Sequence, residues 1–226
     1  MKRYLFISVL TFLICQGCQK AEVDSQIFIY GNDFDSGFFT GLSGAFISEF
    51  DNSLMIGPYN NSGFELKLEN LPEHDFIRVR FDLYIHDSWE GNSNDSGTGE
   101  ADHDAWFMEF EPNENIDPGE KIIFETTFSN AACLPGWCFN QSYPREFPFH
   151  NDARTEASPR ILDGRCLWQG TPNGTALYTI DKVFPHTRAT TVISFYDELK
   201  QVGTFPPLCD ESWSLDNLAV SVFTTD

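Results

Sequence analysis

Apolar and polar positions alternate with a period of two along much of this chain, the signature of strands that bury one face. Residues 76–86, FIRVRFDLYIH, carry it most clearly. Ile77, Val79, Phe81, Leu83 and Ile85 fall on one side; Arg78, Arg80, Asp82, Tyr84 and His86 fall on the other. Residues 27–31, 64–68, 105–110, 121–128, 175–184, 190–199 and 214–223 read as further strands. Under strict alternation Asp216 shares a face with Leu218, Val220 and Val222. Asn173-Gly174 is a hairpin-turn signal. No segment of helical length repeats its apolar residues at 3.6. Residues 129–173 are the least regular, rich in Pro, Arg and aromatics, and read as a long insertion held by a disulfide. Many short strands punctuated by Gly, Pro and Asn predict an all-β, antiparallel β-sandwich in one domain.

Composition changes the picture in two ways. The 226 residues are 41% hydrophobic and 15% aromatic, with 22 Phe, so a large core is available. The formal charge is −20, from 14 basic and 34 acidic residues. Nucleic acid, whose phosphates need Lys and Arg, is excluded as a partner. Cations, neutral ligands or a solvated surface fit the balance.

The first residues form an export signal: Lys2 and Arg3, then an apolar Tyr4–Ile14 too short to span a bilayer comfortably. The following CQGCQK resembles a bacterial lipoprotein signal, with Gly17 before the acceptor Cys18 and GCQK similar to Bacteroidota lipoproteins; ordinary signal-peptidase cleavage is the alternative. The resemblance implies a signal peptide at 1–17, a lipid on Cys18, a tether over 18–26, the domain over 27–226, and a cell-envelope or cell-surface location. Four cysteines then remain, an even number that suits two disulfides in an oxidising compartment. Three pairings are open. The CLPGWC turn favours Cys133–Cys138, which leaves Cys166–Cys209; zinc on four thiolates is the alternative, against irregular spacing.

NDFDSG, LPEHDFIRVRFDLYIHDSWEGN, DAWFMEF, TTFSN and DESWSLDNLAV together resemble an uncharacterised extracellular β-sandwich domain of bacterial surface proteins, over most of residues 30–223. The opening FD-S-G and closing LDN are also similar to carbohydrate-binding jelly rolls and MAM-type adhesion domains. The resemblance implies a jelly roll and an extracellular binding role, and no established activity.

Several constellations carry candidate chemistry. Calcium wants six to eight oxygen ligands, and one set is Asp33 and Asp35, beside Asn32, with Asp216 from the closing strand. First and last strands are often neighbours in a jelly roll. A second set is Asp87, Asn92, Asp102, Asp104 and Glu211. Acids capping turns is the competing reading. Five tryptophans are candidate sugar platforms: Trp106 alternates with Met108 and Phe110 and reads as core, while Trp89, Trp137 and Trp213 are assigned to ligand, with Trp168 the fifth. The sharp alternative is catalytic. Glu100, Asp102 and Asp104 space as E-x-D-x-D, similar to the E-x-D-x-E of a family of jelly-roll glycoside hydrolases, with Asp104 in place of the second Glu. His86 and His103 lie near acids without a nucleophile signature. The sequence thus predicts a lipid-anchored extracellular module binding carbohydrate, possible calcium stabilisation, and a hydrolase or protein-adhesion role as alternatives.

Overall fold

In a computed structural model of the chain, residues 23–92, 103–111, 121–131, 139–200 and 205–225 are described. Twelve strands form two antiparallel sheets. They are β1 (Val23–Asn32), β2 (Leu42–Ser43), β3 (Ile47–Phe50), β4 (Ser53–Tyr59), β5 (Gly63–Glu69), β6 (Phe76–Asp87), β7 (Ala105–Phe110), β8 (Ile122–Thr127), β9 (Leu162–Asp163), β10 (Pro172–Pro185), β11 (Thr190–Glu198) and β12 (Glu211–Thr225). Among the described residues a single short helix, α1 (Pro207–Asp210), precedes β12. One sheet runs β3-β4-β12-β6-β10-β9, with β1 also on β12; the other runs β2-β5-β11-β7-β8. They pack as the antiparallel sandwich the pattern predicts and the jelly roll the resemblance implies, with the irregular insertion tied by the disulfide Cys166–Cys209.

The alternating residues meet between the sheets. Ile77, Val79, Phe81, Leu83 and Ile85 of β6 are buried opposite Trp106, Met108 and Phe110 of β7 and Ile193 and Phe195 of β11. Trp106 is the hub, its ring 5.6 Å from Phe81, 5.8 Å from Trp213 and 6.3 Å from Phe195. Each such side chain contributes about 1.5–3 kcal/mol by leaving water.

Four expectations change. The domain begins before residue 27, because residues 23–26 already pair with β12, Val23 opposite Thr225 and Gln26 opposite Phe223, and Ser25 Oγ lies 3.0 Å from Thr224 Oγ1. Strands β2, β3 and β4 went unread. Asp51 and Asn52, both at positive φ, close the β3–β4 hairpin, the two-residue turn whose twist matches its strands. Asn173-Gly174 makes an irregularity at the start of β10 rather than a hairpin turn, since Pro172 faces Asp163 while Thr175 faces Leu162. Finally, Asn217 at φ 53 forms a bulge between Asp216 and Ala219, which moves Asp216 off the face of Leu218, Val220 and Val222. Asp216 instead sits opposite Asp82.

Candidate functional site

The tryptophans separate by burial. Trp89 and Trp213 are completely buried, so neither offers a ring face to a ligand, and the platform assignment for both gives way to a core role. Each indole N–H is spent inside: Trp89 Nε1 donates to the Ser212 carbonyl at 2.9 Å and Trp213 Nε1 to Asp197 Oδ1 at 2.8 Å. Trp106 is core, as its alternation predicts. Trp137 lies outside the described residues, with Cys18, Glu100, Asp102 and the Cys133–Cys138 pair. Trp168 is half-buried and walls a cavity of about 620 Å³, shared with Asn130, Arg154, Thr171, Pro172 and Asn173.

The chain builds this cavity from short-range constraints. The disulfide holds the Trp168 loop to α1, and Leu167 N–H donates to the Cys209 carbonyl at 3.0 Å. Asp87, buried at the end of β6, accepts Trp168 N–H at 2.9 Å and Cys166 N–H at 3.2 Å. Burial raises the Asp87 carboxyl, and these backbone donors oppose the rise. Gly164 and Gly174 let the loop cross β10 closely, since a Cβ on either would collide with the other strand or with Trp168. Arg154 reaches in from the insertion; its Nη1 donates to the Asn173 carbonyl at 2.6 Å, and burial lowers its guanidinium. Asn130 spends its amide N–H groups on the carbonyls of Ile85 at 2.7 Å and Asp87 at 3.0 Å. Its Oδ1 is fully buried and has no hydrogen-bond partner among the described residues. A buried acceptor left unmade is costly, and this one belongs to a side chain that lines the cavity.

The acids mostly order loops. Asp104 accepts the N–H groups of Glu90 at 3.0 Å and Lys200 at 3.2 Å. Asp197 accepts those of Asn61 at 2.6 Å and Ser62 at 3.2 Å. Asn92 binds the Phe149 carbonyl at 2.6 Å and accepts from Ser142 Oγ at 3.0 Å. Asp104, Asp197 and Glu211 share the inward-facing phase of their strands and crowd one end of the sandwich. Burial, then the charges of Asp104, Asp210, Glu90 and Asp197, push Glu211 up to about 10. Burial raises Asp104 to about 6, against its backbone donors. Burial thus raises both carboxyls, and the charge of Asp104 raises Glu211 further. Of the second calcium set, then, Asp104 and Glu211 are neighbours, while Asp87 and Asn92 are engaged in separate loop contacts.

In the first set, Asp35 and Asp216 converge on one hydroxyl: Ser53 Oγ lies 3.3 Å from Asp35 Oδ1 and 3.3 Å from Asp216 Oδ2. Asp33 accepts the Asp35 N–H at 3.3 Å in the same turn. Asp216 also accepts Asn217 N–H at 2.7 Å, yet burial still raises it to about 6. Among the described residues no group of three His, Cys, Asp or Glu side chains converges closely enough to hold a metal ion. Hydrogen-bond donors account for Asp216 as it stands. His86 is a buried structural residue, its ring nitrogens 3.1 Å from Thr175 Oγ1 and 3.0 Å from Ser214 Oγ, and burial lowers it well below the ordinary histidine range. His103 stacks on Phe147 at 4.0 Å and lies 3.3 Å from Glu125 Oε1.

No protein-family model matches the chain, and no curated protein matches it significantly. Function therefore rests on the sites themselves.

Proposed function

We propose that the chain is a carbohydrate-binding domain, displayed at the cell envelope by a lipid on Cys18, whose ligand occupies the Trp168 cavity. The observation that carries the reading is a cavity walled by the half-buried Trp168 indole and the Arg154 guanidinium, with Asn130, Thr171 and Asn173 beside them. A sugar ring offers what those groups lack. Its C–H face packs on an indole, and its hydroxyls accept from the guanidinium, which has N–H groups beyond those given to Asn173 and Thr175. The disulfide, the Asp87 anchor and the glycine crossing fix this arrangement before ligand arrives, which lowers the ordering cost of binding. Calcium is not required by this reading.

Glycan-array screening followed by titration of the best neutral oligosaccharide tests it. Trp168→Ala is expected to weaken binding about tenfold or more, a loss of about 1.4 kcal/mol. A silent array, or a Trp168→Ala variant that binds as well as wild type, defeats the proposal and leaves a protein-adhesion role. A hydrolase reading that keeps Asp104 but sets Glu211 in place of Glu100 and Asp102 has one support: the two carboxyls are neighbours and burial raises both. Both side chains are only 4% exposed. Cleavage of a bound glycan that disappears in Glu211→Gln would favour it.

A further inference from the structure

A second concavity lies on the outer face of the β2-β5-β11-β7-β8 sheet, about 600 Å³ in volume, and its chemistry differs from that of the Trp168 cavity. Gly63 is the direct cross-strand partner of Tyr196. A Cβ at Gly63 would collide with the Phe195 carbonyl, so glycine is required there and leaves the tyrosine ring uncovered on that side. The opposite face of the ring is stacked on Phe107 at 4.7 Å with 10° between planes, and its hydroxyl donates to Glu109 Oε2 at 3.1 Å. Tyr196 is thus a fixed aromatic wall over a floor of Ser43, Gly44, Ser62, Gly63 and Ser194. Burial, then the Glu109 contact, pushes the phenol up to about 12, so the ring stays neutral. The rim is rigid: Asp197 holds the backbone of Asn61 and Ser62, and Leu199 N–H donates to Asn61 Oδ1 at 2.9 Å.

The charges around this wall are unequal. Glu109 is paired with Lys121. Glu65 accepts hydroxyls from Ser43 at 3.3 Å and Ser194 at 3.5 Å, and lies within reach of the Lys121 charge. Among the described residues Glu65 and Glu198, both on the groove, make no ion pair. Lys121 already places one ammonium group on this face, against Glu109. An occupant suited to this face brings positive charge for Glu65 and Glu198, hydroxyls for the serine floor and an apolar face for the ring.

We propose that this groove binds an amine-bearing sugar, such as a glucosamine oligosaccharide, with its ammonium groups on Glu65 and Glu198 and one ring against Tyr196. The proposal stands apart from the Trp168 cavity, which carries no free carboxylate. A neutral aromatic wall beside carboxylates favours a cation twice, through the ring quadrupole and through direct charge pairing.

Titration calorimetry of the full chain with glucosamine hexamer, N-acetylglucosamine hexamer and spermidine tests the idea. The glucosamine oligomer is expected to bind, more weakly as salt rises. Tyr196→Ala and Glu65→Gln should each weaken it at least about fivefold, while Trp168→Ala leaves it unchanged. Glu65 is solvent-exposed, so Glu65→Gln reads the site even if Tyr196→Ala folds poorly. Equal affinity for the N-acetylated oligomer removes the charge argument and overturns the proposal. Equal affinity for spermidine shows that the sugar ring contributes nothing and overturns it as well. Loss of binding in Trp168→Ala with no effect of Glu65→Gln would assign the ligand to the other cavity.

Discussion

Glu211 shows what one side chain can cost. It begins β12 on the inward phase, and its surroundings hold a proton on it to about pH 10. The sign follows from linkage. A carboxyl raised in the folded state binds more protons folded than unfolded, so stability falls as pH climbs from the ordinary carboxylate range towards about 10. Asp104 and Asp216, each raised to about 6, act the same way over a narrower window that ends near pH 6. His186 acts oppositely: burial lowers it to about 4, so it withdraws stability as pH falls from about 6.5 towards 4. Above pH 7 those three differences are spent and that of Glu211 persists. Glu211→Gln keeps the shape and removes the ionisation. Its melting temperature should exceed that of wild type by several degrees at pH 8–9 and match it near pH 5. Thermal melts of both proteins across that range decide it; parallel curves would mean that Glu211 is ionised in the fold.

At the scale of elements, the long strands were legible because period-two alternation and burial say the same thing twice. Phe64, Leu66 and Leu68 of β5 alternate with exposed Glu65, Lys67 and Glu69 as written. β4 was not, because Ser53–Tyr59 is mostly buried on both faces and does not alternate. The bulge at Asn217 escaped for a related reason: one inserted residue reverses the phase of everything after it, and only the partner strand reveals the insertion. Of the candidate sites, the convergence of Asp35 and Asp216 was readable from the neighbouring of first and last strands. The Trp168 cavity was not, because Asn130, Arg154 and Trp168 meet only through the irregular insertion. The groove left a fainter trace, two outward-facing aromatics, Phe107 and Tyr196, where strand alternation calls for polar residues. The insertion depends on Cys166–Cys209, which spans 43 residues. A serine pair at these positions should lose about 2–4 kcal/mol of stability, measured by denaturant unfolding. It should also weaken neutral-glycan binding, since the disulfide fixes the Trp168 loop. Unchanged unfolding midpoints would show that hydrogen bonds to Asp87 suffice to hold the loop.

Over the whole molecule, the two candidate sites and the proposed anchor lie at opposite ends of one strand. β12 runs 15 residues, roughly 45–50 Å at about 3.3 Å per residue. Its first residue follows α1 and the disulfide that hold the Trp168 loop, and Asn60 beside the groove donates to the Glu211 carbonyl at 2.8 Å. Near its last residue, Thr225 faces Val23, the start of β1. Cys18 precedes Val23 by five positions, a reach of at most about 18 Å. A lipid on Cys18 would hold the Val23–Thr225 end close to the bilayer and direct both ligand sites outward. The net charge of −20 adds to this, because an acidic body is repelled by anionic headgroups and does not lie down on them. The same charge leaves electrostatic attraction to anionic headgroups no part in holding the protein at the membrane. Cys18→Ser should therefore move it from the membrane fraction to the soluble fraction of a bacterial host, with affinity for neutral glycan unchanged. Persistent membrane association of that variant, measured by fractionation in high salt, would place the anchor elsewhere and remove the reason for the two sites to point away from the cell.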